Sequence, residues 1–520
     1  MTQTLNQTAQ SKITNSAAKV MIANILCLFT GLASQIVVAN IFGAGIAMDA
    51  YLTALTIPTY LQAILLSGFS FVFIPIFVRY LATEKEDEAW ALAGTVFWVV
   101  GIFLSILTIL GIIFANNLIR TVAPGFVESK SQTTTIMMQI MMVSFPLMGL
   151  ADLSTGIQNA RGRFFWPALA SGFGSLVNLA VVWIGYKWYG PFVLAWGNLF
   201  SMLTQAVIVI VPVVQHSWKR YFPINSPQIR EMGRLAIPLI LFGIFTRITP
   251  VFERYFASNL PNGNISYLGY ASKISLIISS IIGTGIATGI FPVMAEEYTK
   301  NGGEGLKRTS CYGLIITFAI GFPALSLLSA LGTPFVSVLF LRGAFTAADA
   351  QAVSRIIPYA LLVIVFQMMG NILGRSFYVI GNTVTTPVIA SIASMVYFLL
   401  AYVISRMGSG YVGLAIVQTI QWAFLCLTLI VIMARKHMLD LVALIKQTMP
   451  LLVAALLAAF IAKLGSSLFQ FFFLQFLVGA VIGGILYFGL VYWMDPNLAM
   501  DLLSLFGFDR IKLIKSYFNS

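Results

Sequence analysis

Charge is what this chain has least of: Asp, Glu, Lys and Arg together make up 9% of its 520 residues. A water-soluble domain carries about 25%, so a soluble protein is excluded. Histidine and cysteine are almost missing, at two and three residues. Cys27, Cys311 and Cys426 each fall in or beside an apolar run, with no paired spacing. That pattern excludes a disulfide framework and a cysteine metal site and leaves them as small core residues. His216 and His437 stand beside basic residues at helix ends, so no metal site is expected. No glycine-rich loop ends in Lys-Ser/Thr, which excludes ATP hydrolysis by that route. No removable signal peptide is expected, because the first apolar run is too long and lacks a small-residue cleavage site. The polar start, 1–16, is expected to be a short disordered tail.

What the chain has instead is apolar length. Hydrophobic residues make up 59% of it, and a membrane-spanning helix needs roughly 20 in a row. Fourteen runs qualify: 17–41, 48–78, 91–115, 132–157, 165–186, 191–215, 233–257, 266–294, 310–331, 351–374, 384–405, 411–434, 449–466 and 471–493. Long runs rather than ten-residue alternation predict helices and not a membrane β-barrel. The fold class is therefore an all-α polytopic membrane protein of about fourteen transmembrane helices.

The net charge of +13 is explained by topology rather than by nucleic acid, which is not expected as a partner. With the loops numbered along the chain, the tails and even loops hold twenty of the 30 basic residues. The odd loops hold five: Arg120, Lys130, Lys187, Arg342 and Arg406. The other five, Arg247, Arg254, Lys273, Arg355 and Lys463, fall inside the proposed spans. By the positive-inside rule both termini are cytoplasmic, which an even number of spans satisfies.

The halves echo each other. "GFSFVFIPIFVRYLATE" from Gly68 and "GIATGIFPVMAEEYTKN" from Gly285 are offset by 217 residues, aligning Pro75 with Pro292. "NARGRFFWPALAS" around Pro167 and "VIGNTVTTPVIAS" around Pro387 are offset by 220. An offset of six helices keeps membrane direction, so the repeats are parallel and related by a pseudo-twofold axis along the membrane normal. The expected organisation is a polar tail at 1–16 and two six-helix bundles at 17–220 and 221–436. A final segment at 437–520 holds an amphipathic linker, helices 13 and 14 and the C-terminal tail. Two bundles that rock against each other give alternating access. Pro250 should kink helix 7.

Four segments carry a resemblance: "IFGAGIAMDAY" at 41–51, "NARGRFFWPALA" at 159–170, "FERYFASNLPNGNISYLGYASKI" at 252–274 and "LFLRGAFTAADA" at 339–350. With them the chain resembles the MurJ/MviN family of lipid II flippases, in the multidrug/oligosaccharidyl-lipid/polysaccharide exporter superfamily. The resemblance implies a transporter, not an enzyme, that moves a polyprenyl-diphosphate-linked glycan from the inner to the outer leaflet of the bacterial cytoplasmic membrane. It also implies cavity arginines on helices 1 and 2, where this chain holds Leu28, Ser34 and Gln62. That departure favours a glycan other than lipid II, such as an exopolysaccharide or O-antigen repeat unit. A cation-coupled drug exporter and a non-transporting envelope-assembly scaffold are the remaining alternatives.

A charge inside a membrane costs at least about 2.5 kcal/mol, so it marks function by default. Helix 7 holds Arg247, Glu253 and Arg254. Arg247 lies roughly 20 Å along the helix from its inner end near Arg234. Arg254, seven residues on, would share its face. Lys273 enters helix 8 from the outer side. Arg247, Arg254 and Lys273 are the expected diphosphate-binding cations, Arg being suited to grip two phosphate oxygens. The competing reading is an ion-pair group around Glu253 that pins helix 7 to helix 8. Asp49, in the first turn of helix 2, either complements the helix dipole or gates the site by pairing with Arg247, Arg254 or Lys273. Asp152 on helix 4 is a secondary candidate for the cavity or a coupling cation. Arg161 and Arg163 are secondary candidates for meeting the incoming diphosphate at a cytoplasmic turn. Expected partners are the glycan lipid, membrane lipids and the envelope-synthesis machinery. No cofactor is expected, and the driving force is left to an ion gradient, the membrane potential or product removal.

Overall fold

The computed structural model describes the backbone of residues 2–215, 223 and 226–505; the side chains at 2–19, 66–71, 228, 280–289 and 504–505 fall outside that description. His216, Lys219, Arg220 and the basic residues Arg510, Lys512 and Lys515 therefore lie outside the described residues, as do the side chains around Gly68 and Gly285.

The first part of the chain forms α1 (Thr2–Phe42), α2 (Ile46–Ala82), α3 (Glu86–Ile113), α4 (Ala115–Val122), α5 (Glu128–Met142), α6 (Phe145–Ala160), α7 (Phe165–Tyr189), α8 (Val193–Val214), α9 (Pro227–Thr246) and α10 (Thr249–Ala257). The rest forms α11 (Asn264–Ala330), α12 (Gly332–Phe340), α13 (Ala347–Val379), α14 (Thr385–Arg406), α15 (Gly410–Arg435), α16 (Leu441–Ser466), α17 (Phe472–Met494) and α18 (Pro496–Leu505). Among the described residues there is no strand. The fourteen apolar runs all lie in helix apart from short breaks. Among the described residues, eleven helical stretches are long and apolar enough to cross a membrane, counting the α7–α8 hairpin as one. Their outward faces are apolar: Trp183, Leu399, Phe460 and Ile485 are all more than half exposed, as lipid contact requires.

Two expectations change. The segment expected as a disordered tail is helical from Thr2; it contains no Gly or Pro to stop the helix behind it from propagating. The amphipathic linker expected at the start of the segment 437–520 does not form a helix of its own. Arg435 closes α15, and Asp440 caps α16 by accepting from the Ala443 N–H at 3.0 Å. Run 266–294 and run 310–331 share α11, which breaks at Gly302 (φ 58°), a left-handed conformation that glycine adopts without strain.

The chain divides into two compact units. One takes the chain up to Ser266 with Arg342–Ala344; the other takes Tyr267–Leu341 and the chain from Phe345 on. The repeat places its boundary at 220/221, but α9 and α10 pack on α2, so compactness draws them into the first unit. In that unit α7 packs on α1 and α8, and α2 on α5 and α6. In the second, α15 packs on α13 and α14, and α16 on α17.

The repeat is visible in backbone geometry. After α6, Gly162 N–H donates to the Asn159 carbonyl at 3.0 Å and Arg163 N–H to the Gln158 carbonyl at 2.9 Å. After α13, Gly381 N–H donates to the Tyr378 carbonyl at 3.0 Å and Asn382 N–H to the Phe377 carbonyl at 2.9 Å. All four positions shift by 219 residues, and both glycines are left-handed, at φ 74° and 77°. These are matching Schellman turns.

Candidate functional site

Asp49 is the best-buried carboxylate of the site, at 1% exposure. Gly43, left-handed at φ 59°, ends α1 and lets α2 start at Ile46. Asp49 thus sits in the first turn of α2, where the helix dipole favours an acid. Lys130, buried in the first turn of α5, donates its ammonium to Asp49 Oδ2 at 2.9 Å. Asp49 also accepts from Gly263 N–H, Ser266 N–H and Ser266 Oγ–H at 2.8, 2.8 and 2.6 Å. The Lys130 ammonium donates in addition to Asn262 Oδ1 at 2.9 Å and lies 4.2 Å from the centre of the Phe126 ring. A lysine at the positive end of a helix needs such compensation. The partner of Asp49 is Lys130, not the three cations expected.

Lys130, Asn262 and Ser266 were missed by sequence reasoning, although one signal pointed to Lys130. It is one of the five basic residues that break the charge bias between the two sides. Arg120 is another, and it pairs with Glu128 at 3.2 Å in the open. Lys130 alone of the two is buried.

The α9–α10 junction places the helix 7 charges. The expected kink is a full break: α9 ends at Thr246, and Pro250 sits in the first turn of α10, where its missing N–H costs nothing. Tyr60 Oη–H, from α2, donates to the Ile244 carbonyl at 2.8 Å, serving an acceptor left over at the end of α9. Arg247 and Arg254 therefore do not lie on one helix face. Arg247 is exposed in the break and forms no ion pair among the described residues. Arg254 is nearly buried; it donates to Glu253 Oε1 at 3.0 Å and to Thr56 Oγ1 at 3.4 Å. The ion-pair reading thus describes Glu253 and Arg254, and α2 takes part through Thr56.

Asp152, on α6 and half-buried, accepts from the Gln62 amide of α2 at 3.0 Å. Arg161 pairs with Glu86 at 3.3 Å and lies 5.2 Å from the centre of the Trp90 ring, while Arg163 is exposed beside it. Lys273 is half-buried on α11 in the second unit, 5.9 Å from the centre of the Tyr270 ring. Among the described residues, no group of three His, Cys, Asp or Glu gathers as a metal site.

Comparison with known proteins agrees with this architecture. A solved structure titled "Lipid II flippase MurJ, inward closed conformation" superposes with a TM-score of 0.79 at 22% identity, covering 92% of this chain and 99% of that one. An inward-facing multidrug resistance transporter of the MATE family superposes at 0.68 and 16% identity, over 83% and 99%. These likenesses establish the fold. In sequence, the probable lipid II flippase MurJ of Bdellovibrio bacteriovorus is 26% identical over 409 residues, 76% of this chain and 77% of that protein. The family model "Lipid II flippase MurJ" matches residues 38–482, which include Asp49, the α9–α10 break and both Schellman turns, and the chain is a member of that family of multi-pass membrane transporters.

Proposed function

We propose that this chain carries lipid II, a polyprenyl-diphosphate-linked glycan, from the inner to the outer leaflet of the bacterial cytoplasmic membrane by alternating access. The observation that carries the reading is Arg247. It is an exposed cation within a membrane-spanning stretch, Ile229–Ala257, and lacks an ion-pair partner among the described residues. A charge kept there costs at least about 2.5 kcal/mol unless water or an anion meets it. A diphosphate supplies that anion, and the guanidinium fork matches its oxygens. Arg254, already held by Glu253, contributes a partly neutralised charge. Lys273 supplies the second unit's cation. Arg161 and Arg163 meet the headgroup earlier, at the cytoplasmic turn after α6.

This reading takes the chain as fourteen crossings with both termini cytoplasmic, and its two compact units as the moving bodies. Asp49 acts through Lys130 rather than by direct exchange with the arginines. The driving force is an ion gradient or the membrane potential, which contributes about 2.3 kcal/mol per elementary charge per 100 mV. One observation favours a different glycan on the same diphosphate carrier: Gln62 brings an amide to Asp152 rather than a positive charge.

Expression in a strain depleted of its own lipid II flippase separates the two. Growth rescue is expected, and failure with normal membrane insertion would move the substrate to another glycan. In vesicles, Arg247→Glu should slow lipid II transport by about tenfold or more, the size of one lost charge-assisted hydrogen bond. Unchanged transport by folded protein would remove Arg247 from the site.

A further inference from the structure

The offset that relates the two Schellman turns also relates two polar pairs to within one residue. Asp49 and Tyr267 are 218 residues apart, and Lys130 and Asp349 are 219 apart. In the first half, Lys130 Nζ donates to Asp49 Oδ2 at 2.9 Å and joins α5 to α2. In the second half, Tyr267 Oη donates to Asp349 Oδ1 at 3.0 Å and joins α11 to α13. Donor and acceptor have exchanged places while the pair of positions has been kept.

The surroundings match too. Each carboxylate lies in the first turn of its own helix, where the dipole favours it. Each is buried, at 1% and 9% exposure. Each collects further donors: Asp49 from Gly263 and Ser266, Asp349 from the Thr346 N–H and hydroxyl, both at 2.8 Å. Tyr267 is half-buried, with its ring centre 5.3 Å from that of Tyr411 on α15. Both pairs lie at the helix ends opposite the turns at Gly162 and Gly381. A chance resemblance does not explain the near-equal offsets, the same helix ends and the similar carboxylate environment.

We infer that Tyr267 and Asp349 form the second unit's counterpart of the Lys130–Asp49 clasp, and that the two clasps are positioning elements that make each compact unit move as one block during transport. The first half uses a charged pair and the second a phenol on a carboxylate. What the repeat keeps is a donor closing on a buried first-turn acid, and neither member of the second clasp binds substrate. The inference rests on the transport reading above.

The test combines fluorescent lipid II transport in vesicles with hydrogen exchange on the same full-length preparations. Tyr267→Phe should raise amide exchange at the starts of α11 and α13 by about three- to tenfold, the loss of one hydrogen bond. It should slow transport by a similar factor without changing the half-saturating lipid II concentration. Tyr267→Lys puts an ammonium opposite Asp349, as in the first half, and should keep both readouts near wild type. Adding Asp349→Asn to Tyr267→Lys should abolish that rescue. Wild-type exchange and transport in Tyr267→Phe would overturn the inference. So would a folded Tyr267→Lys that behaves no better than Tyr267→Phe. If the unaltered chain moves no lipid II, the transport reading falls, and the exchange measurements still decide whether the second clasp exists.

Discussion

At the scale of single residues, the buried Asp49–Lys130 pair decides more about stability than any exposed charge. Two ions removed from water are tolerated only when each is fully bonded, and Asp49 has four donors. Lys130→Met leaves the carboxylate buried without its counter-ion and should cost about 3–5 kcal/mol. Adding Asp49→Asn removes the stranded charge, so the double variant should be more stable than Lys130→Met alone. Thermal unfolding in detergent reads the difference, and strictly additive losses would show that the two residues do not act as a unit. Asp49 was legible in the sequence because an acid beside Gly43 and Gly45 is conspicuous in so apolar a chain. Its partner was not, because the two are 81 positions apart and local spacing says nothing about a contact between α2 and α5. The misfit of Lys130 with the charge bias was the available clue.

At the scale of elements, the breakers were legible and their consequences only in part. Pro250 announced a disruption in helix 7, but proline is at home in a first helical turn. The chain therefore ends one helix and starts another, and Arg247 lands in the gap. Arg247 and Arg254 would share a face only on a continuous helix, and the break between Thr246 and Thr249 removes that relation. Gly43 was legible as a turn, while the cause of its strictness was not. A Cβ there would lie 2.4 Å from the Ala344 carbonyl oxygen, where the 342–344 loop docks by donating the Ala344 N–H to the Asn40 carbonyl at 2.8 Å. Gly43→Ala should therefore lose about 1–2 kcal/mol from the left-handed backbone alone, and more from displacing the loop. Gly45, extended at φ −137° and with open space around its Cβ position, provides the control. Gly45→Ala should change stability by about 1 kcal/mol at most. Equal melting temperatures for the two variants would show that the 342–344 loop does not press on Gly43.

At the scale of the whole molecule, composition alone fixed the class, since a chain with 9% charge and 59% hydrophobic residues has no soluble solution. The repeat was legible from two weak matches because an internal duplication shifts every position by nearly one number, and the paired Schellman turns at 162 and 381 obey that shift. The charge bias predicts the orientation: by the positive-inside rule the side with twenty basic residues should face the cytoplasm, and the direction in which a headgroup would travel depends on it. Single cysteines placed by Ser129→Cys, Met407→Cys and Ser467→Cys, at exposed sites in odd loops, should react with a membrane-impermeant maleimide in intact spheroplasts. Those placed by Thr83→Cys, Asn301→Cys and Lys436→Cys, exposed in even loops, should react only after permeabilisation. The background is a chain with Cys27, Cys311 and Cys426 each changed to Ala, a small change because the half-buried Cys27 and Cys311 and the buried Cys426 form no disulfide. Labelling that alternates between the two sets also counts crossings. An odd loop that stays protected would remove a crossing on each side of it, and a wholly inverted pattern would reverse the direction of transport that the charge bias dictates.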